Sequence, residues 1–296
     1  MRVEADDSAA GVRLDVWLSG LNPGLSRARI AGVLKAAGLR PAQRLRAGDS
    51  FDLDLTPPRP TLASPEDIPL DILYEDEHLI VLDKPAGLVV HAGAGVRSGT
   101  LVNALLARSP LSSVGAEALR NGIVHRLDKD TSGAMLAAKT DAAHNALAKM
   151  FARHEVRRTY LALAYGLMAP PAGTIEKPLA RHPRDRKKMA VSNVGKPAIT
   201  HYATERVFTS AEKPPLSLLR LNLETGRTHQ IRVHLADAGH AILGDRLYAP
   251  SAVARLAPRQ MLHSADISFA HPITGAPLSF AAPMPPDMAS LINELQ

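Results

Sequence analysis

The chain has 296 residues, 35 Lys and Arg against 29 Asp and Glu, a formal charge of +6, and no cysteine. The missing cysteines exclude a disulfide scaffold, a thiolate zinc site and a cysteine nucleophile together, and fit a reducing, cytoplasmic setting. The longest uncharged run, 267–286, carries five prolines in twenty residues and cannot be a membrane helix, and the acidic, polar start MRVEADDSAAGVRLD reads as neither a secretory signal nor an Arg-rich transit peptide.

Residues 1–56 read as a small helix-rich unit. Leu14, Val16, Trp17, Leu18 and Leu21 form an apolar stripe, and Ser26 is placed to cap a second helix over 27–37 that opens with Arg27 and Arg29. After Gly48-Asp49 the alternation of Phe51 to Leu55 predicts a strand. The segments RLDVWLSGL, LSRARIAGVLKAAGL and RAGDSFDLDL resemble the alpha-L type of RNA-binding module. Only RPAQRL stands where that module carries a longer segment with a Val-Asn-Gly turn, so it is abbreviated here. The resemblance implies RNA contact through Arg27 and Arg29; a two-helix appendage that only packs is the competing reading. TPPRPTLASPEDIP, with five prolines in fourteen residues, predicts a stiff linker over 57–70.

From residue 71 to 296 the chain reads as one domain. LDILYEDEHLIVLDKP opens it with a strand, and Lys84-Pro85-Ala86-Gly87 closes that strand in a turn. Lys84 can face a phosphate or stand as a solvated turn lysine. Thr100 is placed to cap a helix at 101–106. In GIVHRLDKDTSGAMLAAKT, the apolar runs Ile123-Val124 and Ala134 to Ala138 predict two strands that deliver His125 to Gly133 to one end of a sheet. A helix carrying Lys149, Arg153 and Arg157 is expected to end at Tyr160, and Leu219, Leu221 and Leu223 alternate as a strand that leads to Gly226 and Arg227. Lys177 to Lys188 holds six Lys or Arg and one Asp, which is +5 in twelve residues. That density predicts a polyanion-binding loop through Arg181, Arg184, Arg186, Lys187 and Lys188. His229, His234 and His240 are spaced five and six apart, which suits neither a helical zinc pair nor a finger, so no metal site is expected.

The run His125-Arg126-Leu127-Asp128-x-x-Thr131-Ser132-Gly133 resembles the signature of the RluA/RluD-type pseudouridine synthase family. DEHLIVLDKPAGLVVHAGAG, EVRRTYLALAYG, LETGRTHQIRVHLADAGHAILGDRLY and the closing MLHSADISFAHPITGAPLSFAAPMPPDM extend the resemblance over 71–288. One departure is Arg158, where a lysine is more usual two residues before the tyrosine. The resemblance implies an α+β fold, with a mixed, mainly antiparallel central sheet and flanking helices beside the small N-terminal RNA-binding module. It implies that uridine is isomerised to pseudouridine in structured RNA, with no cofactor and no metal. The implied catalytic residues are Asp128, Tyr160 and Arg227, with Arg126 filling the space that the flipped base leaves and Lys84 and His125 near the RNA.

Asp128 is suited to be a nucleophile or an electrostatic partner of an electron-poor intermediate, and a carboxylate shielded from water needs a neighbouring guanidinium, a role that the resemblance gives to Arg227. The ring of Tyr160 can pack on uracil and its hydroxyl can carry a proton; a core tyrosine is the plainer reading. RHPRDRKKMAV followed by GKPAITHY resembles the D-type branch. That branch implies 23S ribosomal RNA or an assembling large ribosomal subunit as partner, with the enzyme a monomer. A transfer-RNA synthase and a non-catalytic ribosome-assembly protein are the alternatives. Survival of Asp128, Tyr160 and Arg227 together favours the enzyme.

Overall fold

The computed structural model describes residues 2–21, 27–53, 63–93, 95–112, 114, 120–210 and 214–295, without the side chains of 2 and 27–29. The Ser26 cap, the end of the strand at 54–55 and the side chains of Arg27 and Arg29 therefore lie outside the described residues. The chain forms two compact units, Met1–Thr61 and Leu62–Gln296.

In the first unit β1 (Arg2–Glu4) pairs antiparallel with β2 (Ser50–Asp52), and α1 (Leu14–Leu21) and α2 (Arg27–Ala36) lie between them in sequence. Leu14 and Leu18 on α1 and Ile30 and Leu34 on α2 stand four apart, one turn on the same helix face, and all four are fully buried. Val16 and Leu21, expected on that stripe, are exposed. The short RPAQRL segment closes the unit by backbone pairing. Leu14 N–H donates to Gln43 O and Leu45 N–H to Val12 O, and Leu45 is buried in the core.

The second unit comprises β3 (Asp71–Glu75), β4 (Leu79–Lys84), α3 (Leu101–Arg108), β5 (Ser132–Ala138), α4 (Asp141–Ala152), β6 (Arg157–Tyr165), β7 (Ala172–Glu176), β8 (Leu179–Arg181), β9 (Met189–Val191), β10 (Ile199–Phe208), β11 (Leu216–Leu223), α5 (Gln230–Asp237), α6 (Ser251–Ala254), β12 (Leu262–Ala270), β13 (Pro277–Ala281) and α7 (Pro286–Glu294). Nine strands make one sheet in the order β3-β4-β5-β12-β6-β11-β10-β7, with β13 also on β12. Only β5 and β12 run parallel, so the sheet is mixed and mainly antiparallel. Alternation along β4 divides the core. Ile80 and Leu82 join Leu101, Leu105, Ile231 and Met288 on one face, while Leu79 and Val81 join Ala143, Leu147 and Phe269 on the other. Thr100 caps α3 in a reciprocal box with Asn103.

Four local expectations change. The opening strand is a hairpin, because Asp76 accepts from the backbone N–H groups of His78 and Leu79 at 2.7 and 2.9 Å and turns the chain. Only the second of the two strands around the Asp128 loop forms; Ile123 makes a single bridge to Ala137. Tyr160 sits on β6, not at the end of a helix. The helix stops at Ala152, and Arg157–Tyr165 is drawn into a strand with β12 and β11 on either side. The end of the expected linker is docked on the second unit, where Asn103 Nδ2 donates to Ser64 O and Gly99 N–H to the Glu66 carboxylate.

Candidate active site

Six segments surround a cavity of about 570 Å³: the 124–131 loop that enters β5, the end of α4 with the turn after it, the start of β6, the 225–229 loop that leaves β11, the first turn of α5, and the start of β12 at Leu262. Asp128, Arg126, Tyr160, Arg227, His229 and Arg232 all line it. Leu127 is buried in the core, so the two polar side chains beside it in sequence are the ones offered to the cavity.

Local bonds hold the Asp128 loop. Thr131 N–H donates to Asp128 O at 3.1 Å, and Gln260 Nε2 donates to Thr131 Oγ1 at 2.8 Å. Gly133 adopts φ +113°, and a Cβ there would stand 2.2 Å from Ser264 O. The bare backbone is what lets β12 lie alongside and fix the loop's exit. Lys84 supplies the other anchor. It is fully buried, and Nζ donates to Pro85 O, Leu88 O and Lys129 O at 2.7, 2.9 and 3.0 Å. All three protons are used within the protein, so the expected contact of Lys84 with RNA is corrected to a structural tie between β4 and the residue after Asp128. Burial lowers its pKa to about 8, against the attraction of Asp130 and Asp128.

The cation that meets Asp128 is Arg232, where Arg227 was expected. Arg232 Nη1 donates to Asp128 Oδ2 at 2.8 Å, while Nε and Nη2 hold both oxygens of the buried Asp245 at 2.7 and 2.8 Å. Burial opposes the Arg232 charge, but the Asp245 hydrogen bonds and both carboxylate charges outweigh it and raise its pKa above the ordinary value. Arg227 lines the cavity without meeting Asp128. Its Nε donates to Pro197 O, and its backbone N–H is taken by Gln230 Oε1, which also accepts from Thr225 Oγ1. Gln230 thereby folds the loop back on the start of α5, and the helix carries Arg232 inward three residues after His229.

His229 begins that helix with φ +56°, a left-handed conformation costly for a residue with a side chain. Its Nδ1 meets Tyr248 Oη at 2.7 Å and its Nε2 lies 3.7 Å from Asp128 Oδ1. Tyr248 Oη also accepts from Met189 N–H, which ties this pair to the β8–β9 hairpin. Burial lowers the His229 pKa, with Asp128 opposing. His234 and His240 bond elsewhere, to Thr200 and Lys177 O and to Tyr165 O.

Tyr160 is buried, and burial raises its phenol above the usual range. His125 stacks on Phe151 with ring centres 4.8 Å apart and accepts Leu136 N–H at Nε2, so it stands behind the loop as a fixed neutral ring. Burial and the nearby Arg158 push its pKa down to about 3. Arg126 is exposed at the cavity. Arg181, Arg184, Arg186 and Lys187 are exposed, and Lys188 half-buried, on and around the β8–β9 hairpin. Met189 and Val191 of that hairpin pack with Val233 of α5 and with Tyr248.

Sequence reasoning did not single out Arg232, Asp245, Gln230 or Tyr248. The one available signal for Arg232 is a charged residue inside an apolar helical run, Gln230 to Leu235, all of it buried.

Residues 78–237 match the model of the RNA pseudouridylate synthase family. The chain belongs to that family and is an RNA pseudouridine synthase. It is 44% identical to the ribosomal large subunit pseudouridine synthase D of Xanthomonas campestris pv. campestris, over 98% of this chain and 91% of that protein. It is 43% identical to the protein of the same name from Zymomonas mobilis subsp. mobilis, over 99% and 97%. The solved structure of human RNA pseudouridylate synthase domain containing 1 has the same fold, with TM-score 0.61 and 24% identity, over 78% of this chain and 90% of that one. No helix among the described residues is long and apolar enough to cross a membrane.

Proposed function

We propose that this enzyme isomerises specific uridines in large-subunit (23S) ribosomal RNA, with Asp128 as the catalytic carboxylate. The observation that carries the reading is the Asp128–Arg232 pair at 2.8 Å in a cavity also lined by Tyr160. The names of the relatives, matched over nearly their whole length, support the choice of RNA.

In the reaction the bond between ribose C1′ and uracil N1 breaks, the base turns, and C1′ is joined to C5. The C5 proton is lost and N1 is protonated, so the product keeps the atoms of the substrate. Asp128 supplies the negative charge that meets the electron-poor sugar or ring, and Arg232 holds that carboxylate in one orientation. Tyr160, neutral because burial raises its pKa, offers a ring to pack on the base and a hydroxyl that relays the C5 proton toward solvent by passing on its own. The uridine reaches these groups only out of its stack. Arg126, exposed beside Asp128, fills the vacated space, and the basic residues around the β8–β9 hairpin hold backbone phosphates.

Release of tritium from C5-labelled uridine in ribosomal RNA tests the reading. The wild type is expected to release it, and Asp128→Asn to abolish release while RNA binding is retained. A residual rate above a few per cent in Asp128→Asn would falsify the role of Asp128. Mapping pseudouridines in cells with and without the protein checks the substrate: sites lost from transfer RNA alone would refute ribosomal RNA.

A further inference from the structure

We propose that Arg158 is the receptor for a phosphodiester flanking the nucleotide that enters the cavity, an assignment that rests on the uridine reading above. Arg158 and Tyr160 stand two apart on β6, so they project from the same face, and both line the cavity. Arg158 is only 7% exposed, and its Nε is buried with no acceptor. Among the described residues no carboxylate pairs with it and no protein oxygen takes a hydrogen bond from it. The contrast with Arg232, whose fork is filled by Asp128 and Asp245, is complete.

A buried guanidinium without a counter-ion is costly, and a fold that keeps one has placed it for an anion that arrives with the substrate. The side chain is held ready for such a partner. Its Cζ lies 5.3 Å from the centre of the Phe151 ring, and it packs against Gly226, where a Cβ would stand 2.9 Å from Nη1.

Position selects the phosphate over the base. Arg158 is one residue into β6 and Tyr160 lies two residues further along. The neighbours of Arg158 on the cavity wall include Gly226 and His154, both exposed. A nucleotide whose base reaches Tyr160 and whose sugar reaches Asp128 must pass its backbone across this edge. A planar fork presents paired N–H groups to two non-bridging phosphate oxygens, a fit that a single lysine ammonium does not reproduce.

The test uses tritium release under single-turnover conditions. The substrate is the RNA fragment that the wild type modifies, made either all-phosphate or with a neutral methylphosphonate at each linkage flanking the target uridine. R158Q is expected to raise the half-saturating RNA concentration by about 10- to 100-fold on all-phosphate RNA, with R158K recovering part of the loss. At one of the two neutral linkages R158Q should add less than about twofold, since the partner is already gone. Equal losses on all-phosphate and both neutral RNAs, or a loss confined to the rate at saturating RNA, overturns the assignment and places Arg158 on the base. If R158Q fails to fold by thermal melting, the wild type and R158K decide. The wild type must lose about tenfold at one neutral flanking linkage, with R158K losing less, and no loss at either linkage overturns the proposal. A wild type that releases no tritium from any RNA brings down the uridine reading itself, a result distinct from every failure confined to Arg158.

Discussion

Arg232 gives one nitrogen to Asp128 at 2.8 Å and the other two to Asp245, so a fully buried carboxylate sets the orientation in which Arg232 meets Asp128. Asp245 Oδ1 also accepts from the N–H groups of Leu247 and Tyr248, and these bonds, with Arg232, hold its pKa down against burial. The guanidinium is fixed from behind before RNA arrives. That is the condition for electrostatic help that costs no reorganisation during the reaction.

Arg232 and Arg227 should therefore behave differently on substitution. Arg232→Gln is expected to lower the single-turnover rate by about 100-fold or more. It should also destabilise the fold by about 3–5 kcal/mol, because Asp245 is left charged and buried without its partner. Arg227→Gln, whose guanidinium bonds Pro197 O, should cost less than about tenfold in rate, the size of a single modest hydrogen bond. Tritium release and urea midpoints on the same preparations check both. The reverse ranking would show that Arg227 leaves Pro197 O for the substrate or Asp128 when RNA binds.

Lys84 offers a prediction of a different kind, since its ammonium is spent on three carbonyls and none of it on RNA. Lys84→Met leaves the oxygens of Pro85, Leu88 and Lys129 without their donor, and a cost of about 3 kcal/mol is expected from three part-buried acceptors. The salt dependence of RNA binding should keep its slope, whereas loss of a phosphate contact such as one from Arg186 should reduce that slope by about 0.7–0.9. A shallower slope for Lys84→Met would restore the RNA-contact reading.

Local sequence made some of this legible and concealed the rest for physical reasons. The short β-rich run Leu79 to Leu82 and the Thr100 cap depend on neighbours within one element, and the corresponding strand and helix are there. The Asp128 partner depends on a contact across 104 residues, and no local rule distinguishes Arg227 after a glycine from Arg232 inside a helix. A helix face is known only once the surface beneath it is known. Lys84-Pro85-Ala86-Gly87 has the composition of an exposed turn, and only its contact with Lys129, 45 residues away, reveals a buried lysine. Lys149, Arg153 and Arg157 mimic a helical period that would carry Tyr160 to a helix end; strand pairing on both sides overrides that spacing.

Stability should fall with acid through His125. In the unfolded chain its imidazole takes a proton near 6.5, and in the folded protein only near 3. Between those values the unfolded state binds more protons, so stability present above about pH 6.5 is lost as pH falls toward 3. Protonation also removes the acceptor for Leu136 N–H. His125→Gln keeps an acceptor that does not titrate. Its melting temperature should decline less than that of the wild type between pH 7 and 4.5, and parallel declines would remove His125 from the account.

Gly226 and Gly133 provide the sharpest contrast between a site residue and a scaffold residue. A methyl group at Gly133 meets backbone, Ser264 O at 2.2 Å, in a conformation of φ +113° that side chains rarely adopt. Gly133→Ala should unfold or severely destabilise the protein, because neither strand can yield. A methyl group at Gly226 meets only the end of a flexible side chain, Arg158 Nη1 at 2.9 Å, at a position without positive φ. Gly226→Ala should leave the melting temperature nearly unchanged and displace the Arg158 fork. The expected result is weaker half-saturation on RNA with the saturated rate retained within about threefold, since Asp128 and Arg232 are untouched. A Gly226→Ala enzyme that binds RNA as tightly as the wild type would show that the fork has room to move and that its position does not matter.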